Sequence, residues 1–225
     1  MNQPSDHDQP EGGSDNKPRI SAEAMAAETQ KKWDFSAGFF DIIAYGAELR
    51  WGPEKKALYR SMSGKVLFVA MGTGLDIAQF PPNQDIIGVD ISSKMLAKAQ
   101  PRADSYPGSL TLMVQDVLAL DFADDSFDQV FTACTFCSVP NPVAGLRSLK
   151  RVLKPGGRLN MFEHTGSRIP PFNMMLNLMN PLCRQMGPEV NRPTEENVRA
   201  AGFEILEVNH IYLDIVKTIR AVAPG

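Results

Sequence analysis

This sequence is short of basic residues, long apolar runs and cysteine, and each shortage removes a class of function. Its 225 residues carry 23 Lys and Arg against 26 Asp and Glu, a formal net charge of −3. Nucleic-acid binders usually present a dense basic face, so no nucleic-acid partner is expected. No apolar run reaches the length of a transmembrane helix, and the first residues lack the apolar core of a secretory signal. Three cysteines are an odd number. They do not suit a disulfide scaffold and fit a reducing cytoplasm. There is no internal repeat. The length fits one domain, enough for a full sheet covered on both faces.

Glycine is informative where it occurs. The apolar run Lys65-Val66-Leu67-Phe68-Val69-Ala70-Met71 ends in Gly72-Thr73-Gly74, and a second run, Ile86-Ile87-Gly88-Val89-Asp90, ends on an acid. This is the opening β-α-β of a Rossmann-like sheet, in which ligands bind outside the carboxyl ends of the strands. Gly72 and Gly74 let the backbone come close to a ligand, because no Cβ blocks the approach. Asp90 falls where a carboxylate can accept both hydroxyls of a ribose. A nucleoside-containing cofactor is expected. The dinucleotide fingerprint needs a third glycine where this chain has Ile77, and Asp76 would set a negative charge against a pyrophosphate. No Gly-Lys-Ser/Thr follows either. A cofactor with a ribose and no phosphate fits, as S-adenosylmethionine does, and a nicotinamide-dependent oxidoreductase is disfavoured.

Residues 1–20 are rich in Asp, Gln, Pro, Ser and Gly and are expected to form a disordered tail. Residues 21–61 read as a helical cap anchored by Trp33, Phe39, Phe40, Ile43 and Tyr45, with a break at Gly52-Pro53. Strands then alternate with helices. Val66–Val69, Ile86–Val89, Leu110–Val114, Gln129–Thr132 and Arg158–Phe162 are the first five strands, with a helix over Lys94–Ala99 between the second and third. A helix from Asn141 to Leu153 is capped by Asn141, starts on Pro142 and ends at Lys154-Pro155-Gly156-Gly157. Strands at Gly202–Ile205 and Ile211–Ile219 close the set. The fold class is therefore α/β: a Rossmann-like, doubly wound, mostly parallel seven-stranded sheet with helices on both faces. Residues 167–193 interrupt the alternation with a Met-rich apolar stretch bounded by prolines, read as a lid.

With these pieces placed, the chain resembles a class I S-adenosylmethionine-dependent methyltransferase over roughly residues 30–220. The motifs are Val66 to Gly74, Gly88-Val89-Asp90-Ile91-Ser92, Gln115-Asp116-Val117, Asp125-Ser126-Phe127-Asp128, and Arg151-Val152-Leu153-Lys154-Pro155-Gly156-Gly157. Cys137-Ser138-Val139-Pro140-Asn141-Pro142, Phe162-Glu163-His164 and Asn191-Arg192-Pro193-Thr194 resemble a narrower, type-11 group, as does Arg199 to Phe203. That group includes quinone, phospholipid and alkyl-thiol methyltransferases. The resemblance implies that Gly72, Thr73 and Gly74 cradle the methionine end of the cofactor. It implies that Asp90 holds the ribose, with Ile91 and Met95 packed on the adenine, and that Asp116 reaches the adenine amino group beside Val117. Thr132, Ala133 and Cys134 then line the channel to the acceptor. Two departures stand out. The family's first-strand acid and glycine are replaced by Phe68 and Ala70, and Trp33 and Phe40 stand where many relatives have tyrosine. Asp41 or Tyr45 is the expected compensation.

Methyl transfer from a sulfonium is an in-line displacement, so alignment is the main requirement, worth roughly 7–11 kcal/mol. A base helps only an acceptor that arrives protonated. Glu163 and His164 are the candidates for acceptor binding or proton removal, with His164 as a loop hydrogen-bonding residue the equal alternative. Cys134-Thr135-Phe136-Cys137 reads as small residues beside the channel rather than a redox or zinc motif, and no metal is expected. Asn191-Arg192 is read either as an acceptor head-group contact or as part of a helix start capped by Thr194. The Met-rich segment points to a small lipophilic acceptor, or to a membrane surface touched through residues 169–186, with ordinary lid packing as the alternative. Two rival functions use the same fold: other chemistry on the same cofactor, and a cofactor-binding module without turnover.

Overall fold

A computed structural model describes residues 21–225 except residue 187; the tail expected over residues 1–20 lies outside the described residues. The strands are β1 (Lys65–Val69), β2 (Asp85–Asp90), β3 (Ser109–Val114), β4 (Phe127–Ala133), β5 (Leu153–His164), β6 (Glu204–Tyr212) and β7 (Val216–Val222). They form one seven-stranded sheet in the order β3-β2-β1-β4-β5-β7-β6. β1 to β5 pair in parallel, and β7 lies antiparallel between β5 and β6. The winding reverses between β1 and β4. That reversal opens a crevice at the carboxyl ends of the strands, where open α/β sheets take their ligands.

The helices are α1 (Ala22–Ser36), α2 (Phe40–Tyr59), α3 (Ser93–Asp104), α4 (Pro142–Val152), α5 (Phe172–Met186) and α6 (Thr194–Ala200). On one face of the sheet Leu67, Val69, Val130, Leu159 and Met161 pack against Leu146, Leu149 and Val152 of α4. On the other face Val66, Phe68, Phe131 and Phe162 pack against Leu58 and Tyr59 of α2 and Leu96 and Ala99 of α3. Each fully buried side chain of this size stabilises by about 1.5–3 kcal/mol. The start of α4 is the one read from sequence: Asn141 Oδ1 accepts the Ala144 N–H at 3.1 Å, and Pro142 takes the first turn.

Several boundaries differ from those read in the sequence. The helical cap breaks at Ala37-Gly38-Phe39, whereas Gly52-Pro53 lies inside α2. Pro53 costs α2 a backbone hydrogen bond, of the order of 3 kcal/mol in a helix interior. Burial of Leu58 and Tyr59 in the next turns offsets it. The last hairpin turns at Leu213-Asp214-Ile215, inside the strand expected over Ile211–Ile219, and β6 runs through residues 206–210, expected to lie between strands. β6 is an edge strand whose residues are half-buried at best, so its apolar pattern is weak. The helix after β2 extends to Asp104, well beyond the expected Ala99.

Candidate active site

The loop after β1 is shaped by two left-handed glycines, Gly72 with φ 57° and Gly74 with φ 79°. A Cβ on Gly74 would lie 2.8 Å from Ile77 Cδ1 and 3.0 Å from Ala99 Cβ, so this glycine admits α3. A Cβ on Gly72 would meet open space instead. The loop is pinned from two helices. The Thr73 hydroxyl donates to Asp41 Oδ1 at 2.5 Å, and Arg102 donates to the Thr73 carbonyl at 2.5 Å and to Asp41 Oδ2 at 2.8 Å. Burial works against the Asp41 charge, but the Thr73 hydroxyl and the Arg102 guanidinium hold its carboxyl below the usual range. Asp41 is thus committed to the loop.

Asp90 closes β2. Its Oδ2 accepts the Gly72 N–H at 2.8 Å, and its Oδ1 accepts the Ser92 N–H at 2.9 Å. Burial pushes its pKa up against those backbone donors. Each carboxylate oxygen keeps a further acceptor direction for a ribose hydroxyl. The Ser92 hydroxyl caps α3 by accepting the Met95 N–H at 3.1 Å, which sets Met95 beneath the same crevice.

A cavity of about 280 Å³ opens here. Gly72, Asp90, Ile91, Met95, Asp116, Val117 and Cys134 of the expected site residues line it. Ala26, Thr29 and Trp33 of α1 and Phe40 of α2 form another wall, and Ser138, Val139 and Pro140 another. Of these, Ala26 and Thr29 escaped the sequence reading. Their signal was the spacing i, i+3, i+7 with Trp33, one face of a helix. None of the cavity's described lining residues is Lys or Arg; its charged groups are Asp90 and Asp116.

The other expected residues lie outside the cavity lining. Thr73 and Gly74 shape the loop from behind. Thr132 is fully buried and donates its hydroxyl to Glu163 at 2.8 Å. Glu163 is also fully buried and accepts the N–H groups of Thr135 at 3.2 Å and Phe136 at 3.1 Å. Burial pushes its carboxyl up to about 7 against those three donors. His164 is half-buried, and burial lowers its pKa, so the imidazole is neutral near pH 7. Tyr45 stands on the outer face of α2, 63 % exposed.

The turn carried by Glu163 reaches the cavity through Cys134, whose φ is 50° and whose N–H donates to the Phe162 carbonyl at 2.7 Å. Cys134 is open to the cavity yet ringed by protein. Burial, with Cys137 and Glu163 nearby, pushes its thiol well up, so it stays protonated. Burial and Glu163 likewise raise Cys137, to about 12. These thiols are poor nucleophiles.

Phe68, in the place of the family's acid, is fully buried between Tyr59 and Phe80, with ring centroids 5.7 and 5.0 Å away. Ala70, in the place of a glycine, keeps the glycine-like backbone with φ 58° and lines the cavity. Arg192 donates to the Val139 carbonyl at 3.0 Å and pairs with Glu189 at 3.2 Å, which braces one cavity wall. Thr194 does not cap α6: Pro193 holds the cap position, and the Thr194 hydroxyl is buried without a partner.

Comparison with known proteins bears on the family and the fold. The family described as Methyltransferase domain matches residues 67–161. The ubiquinone/menaquinone biosynthesis C-methyltransferase UbiE of Geobacter sulfurreducens is 37% identical over 134 residues, covering 56% of this chain and 52% of that protein. The enzyme of the same name from Geotalea uraniireducens is 31% identical over 157 residues, covering 65% of this chain and 67% of that protein. The chain thus spans about half to two thirds of the length of these curated relatives. Among solved structures, the [4+2]-cyclase SpnF superposes with a TM-score of 0.71 over 88% of this chain and 97% of its own, at 18% identity, a likeness of fold alone. The motifs, the strand order and the relatives together place the chain in the class I S-adenosylmethionine-dependent methyltransferase family.

Proposed function

We propose that this protein transfers a methyl group from S-adenosylmethionine to a small lipophilic acceptor, with a quinol-like ring first among candidates. The observation that carries the reading is the cavity itself. Two carboxylates and, among the described residues, no cation face a pocket at the carboxyl ends of β1, β2 and β4. That charge suits a sulfonium ligand with ribose hydroxyls to donate, and it opposes a pyrophosphate. When bound, the cofactor supplies an electrophilic methyl group on a sulfur that leaves neutral.

The chain's own residues then have separate tasks. Asp90 accepts the ribose hydroxyls while its backbone bonds fix it, and Ile91, Met95 and Val117 sandwich the adenine near Asp116. Gly72 lets the backbone close on the methionine end. Cys134 and the wall from Ser138 to Pro140 shape the acceptor's path, with Glu163 and Thr132 fixing that turn from below. Trp33 and Phe40 exclude water, which strengthens every polar contact inside. His164 is neutral near pH 7 but does not line the cavity, so no proton step is assigned to it. The related UbiE enzymes act in ubiquinone and menaquinone biosynthesis by name, which puts quinols ahead of phospholipid amines and thiols.

The helix α5 serves as a lid that also touches a membrane surface, from which a lipophilic acceptor is drawn. Leu176 turns inward, while Met174, Met175, Leu178, Met179 and Leu182 are exposed, Leu178 by 83 %. No acidic residue occurs between residues 169 and 186. Among the described residues no helix is long and apolar enough to cross a membrane. All three cysteines are free, consistent with work in a reducing cytoplasm. Two experiments test this reading. Purified protein given S-adenosylmethionine and a demethylated quinol should yield S-adenosylhomocysteine and methylated product in equal amounts; cofactor consumption without methylated acceptor contradicts it. Flotation with anionic phospholipid vesicles should be lost in Leu178→Asp, and equal flotation of both proteins removes the membrane contact.

A further inference from the structure

The two edges of the sheet are finished differently. β6, at one edge, carries Glu204, Glu207 and His210, and its register with β7 shifts between Ile205 and Glu207 and again between His210 and Tyr212. Charges and bulges of this kind keep an edge from pairing with another chain. β3, at the other edge, has neither. Its residues, Ser109-Leu110-Thr111-Leu112-Met113-Val114, hold no charge, proline or glycine, and its register with β2 is unbroken.

The backbone of β3 fixes which groups face outward. The Ser109 N–H donates to the Gln84 carbonyl at 2.9 Å, and the Gln115 N–H donates to the Asp90 carbonyl at 3.0 Å. Both residues thus turn their backbone groups toward β2, and so, by alternation along the strand, do Thr111 and Met113. Leu110, Leu112 and Val114 present their N–H and carbonyl groups to the far side. Among the described residues, no loop backbone pairs with them there. The side chains divide the same way. Leu110 and Leu112 pack on the core beneath α3, and Val114, on the same face, is 53% exposed. Thr111 and Met113 are exposed on the opposite face, and the chain from β3 to β4 forms no helix.

An edge with free donors and acceptors, no charge and no bulge is a template for another strand. A second copy of β3, antiparallel about a two-fold axis at Leu112, meets every one of these groups. Leu112 then faces its own counterpart and Leu110 faces Val114, each pair exchanging N–H to carbonyl bonds in both directions. Between them Thr111 lies opposite Met113 on the exposed face. The strand is complementary to itself in charge as well, since no like charges meet across the pair. Such a contact is isologous and closed, so it stops at two copies.

We propose that β3 is a self-association edge, joining two copies of this chain into one continuous sheet by antiparallel pairing centred on Leu112. The pairing does not depend on the cofactor reading. A strand pair buries little surface, so the dimer is weak and varies with concentration.

Sedimentation velocity of the full chain over a range of micromolar concentrations tests it, with hydrogen exchange at the Leu110, Leu112 and Val114 amides as a second readout. The mass should rise toward two chains with concentration, and exchange at those amides should slow in step. Thr111→Lys with Met113→Lys sets like charges opposite each other on both sides of the axis, and should weaken association at least tenfold. Thr111→Lys with Met113→Glu sets opposite charges together in this register, and should keep association within a few-fold of wild type. If either variant fails to fold, the concentration dependence of exchange in wild type decides alone. A monomer at every concentration overturns the proposal, whether the edge stays open or another segment or another protein takes it. Equal association of the two variants overturns it too, because the contact then lies elsewhere or in another register.

Discussion

The two ends of the cavity are built on different rules. At the β2–β3 end, Asp90, Ile91, Met95, Asp116 and Val117 stand where family motifs put them, each within a residue or a helical turn of a strand end. At the β1–β4 end, Phe68 fills the acid's place, and Ala70 and Cys134 both sit at positive φ. The described lining there, with Val69, Ala70, Ala133 and Cys134, carries no charged side chain. One end is local in sequence and holds by backbone capping; the other is assembled from distant residues and carries backbone strain.

The largest effect is expected at the local end. Asp90→Ala would remove the two charge-assisted ribose contacts proposed for it, each worth about 1.5–3 kcal/mol, so affinity for S-adenosylhomocysteine should fall at least about 100-fold. Retained affinity in calorimetry would mean that the local end does not anchor the ligand, and the comparison would collapse.

Glu163, below the rebuilt end, should show in stability against pH. Its folded pKa of about 7 lies above the unfolded carboxylate value. The native state therefore binds this proton more tightly. The resulting stability is complete below about pH 4.5 and is lost as pH rises through about 7. Urea melts of wild type and Glu163→Gln across pH 5–8 should show wild type losing ground on the order of 2–3 kcal/mol as pH rises. A gap that stays constant with pH contradicts the buried-carboxyl account.

The smallest effect is the strain at Ala70. An alanine at φ 58° is in a conformation that costs an L residue roughly 1–2 kcal/mol, and glycine repays part of that with its greater unfolded-state entropy. Ala70→Gly should stabilise by about 0.5–1 kcal/mol in denaturant melts while leaving cofactor affinity within a few-fold. Destabilisation would show that the methyl group of Ala70 packs usefully despite its backbone.

Legibility in the sequence followed the same division. The strands β1 and β2, the acid at Asp90 and the start of α4 were readable because each signal lies within a few residues: an apolar run, a glycine turn, Asn141 before Pro142. The break expected at Gly52-Pro53 failed because tertiary burial of Leu58 and Tyr59 outweighs a local helix breaker. The end of the last hairpin was misplaced because an edge strand such as β6 is half-wet and loses its alternation. Glu163 looked available at a strand end, yet β5 is covered on both faces there, which periodicity alone does not reveal. Lys55 and its buried ion-pair partners Glu48 and Asp76 were unreadable in principle. Each is an ordinary surface-type residue, and only the fold of α2 onto the glycine loop makes them neighbours.

The most direct test of the central claim, that this cavity takes S-adenosylmethionine despite Phe68 and Ala70, is a calorimetric titration of the wild-type chain with S-adenosylhomocysteine beside NAD. The account predicts saturable one-to-one binding of the first and none of the second. No binding of S-adenosylhomocysteine, or preference for the dinucleotide, would contradict it.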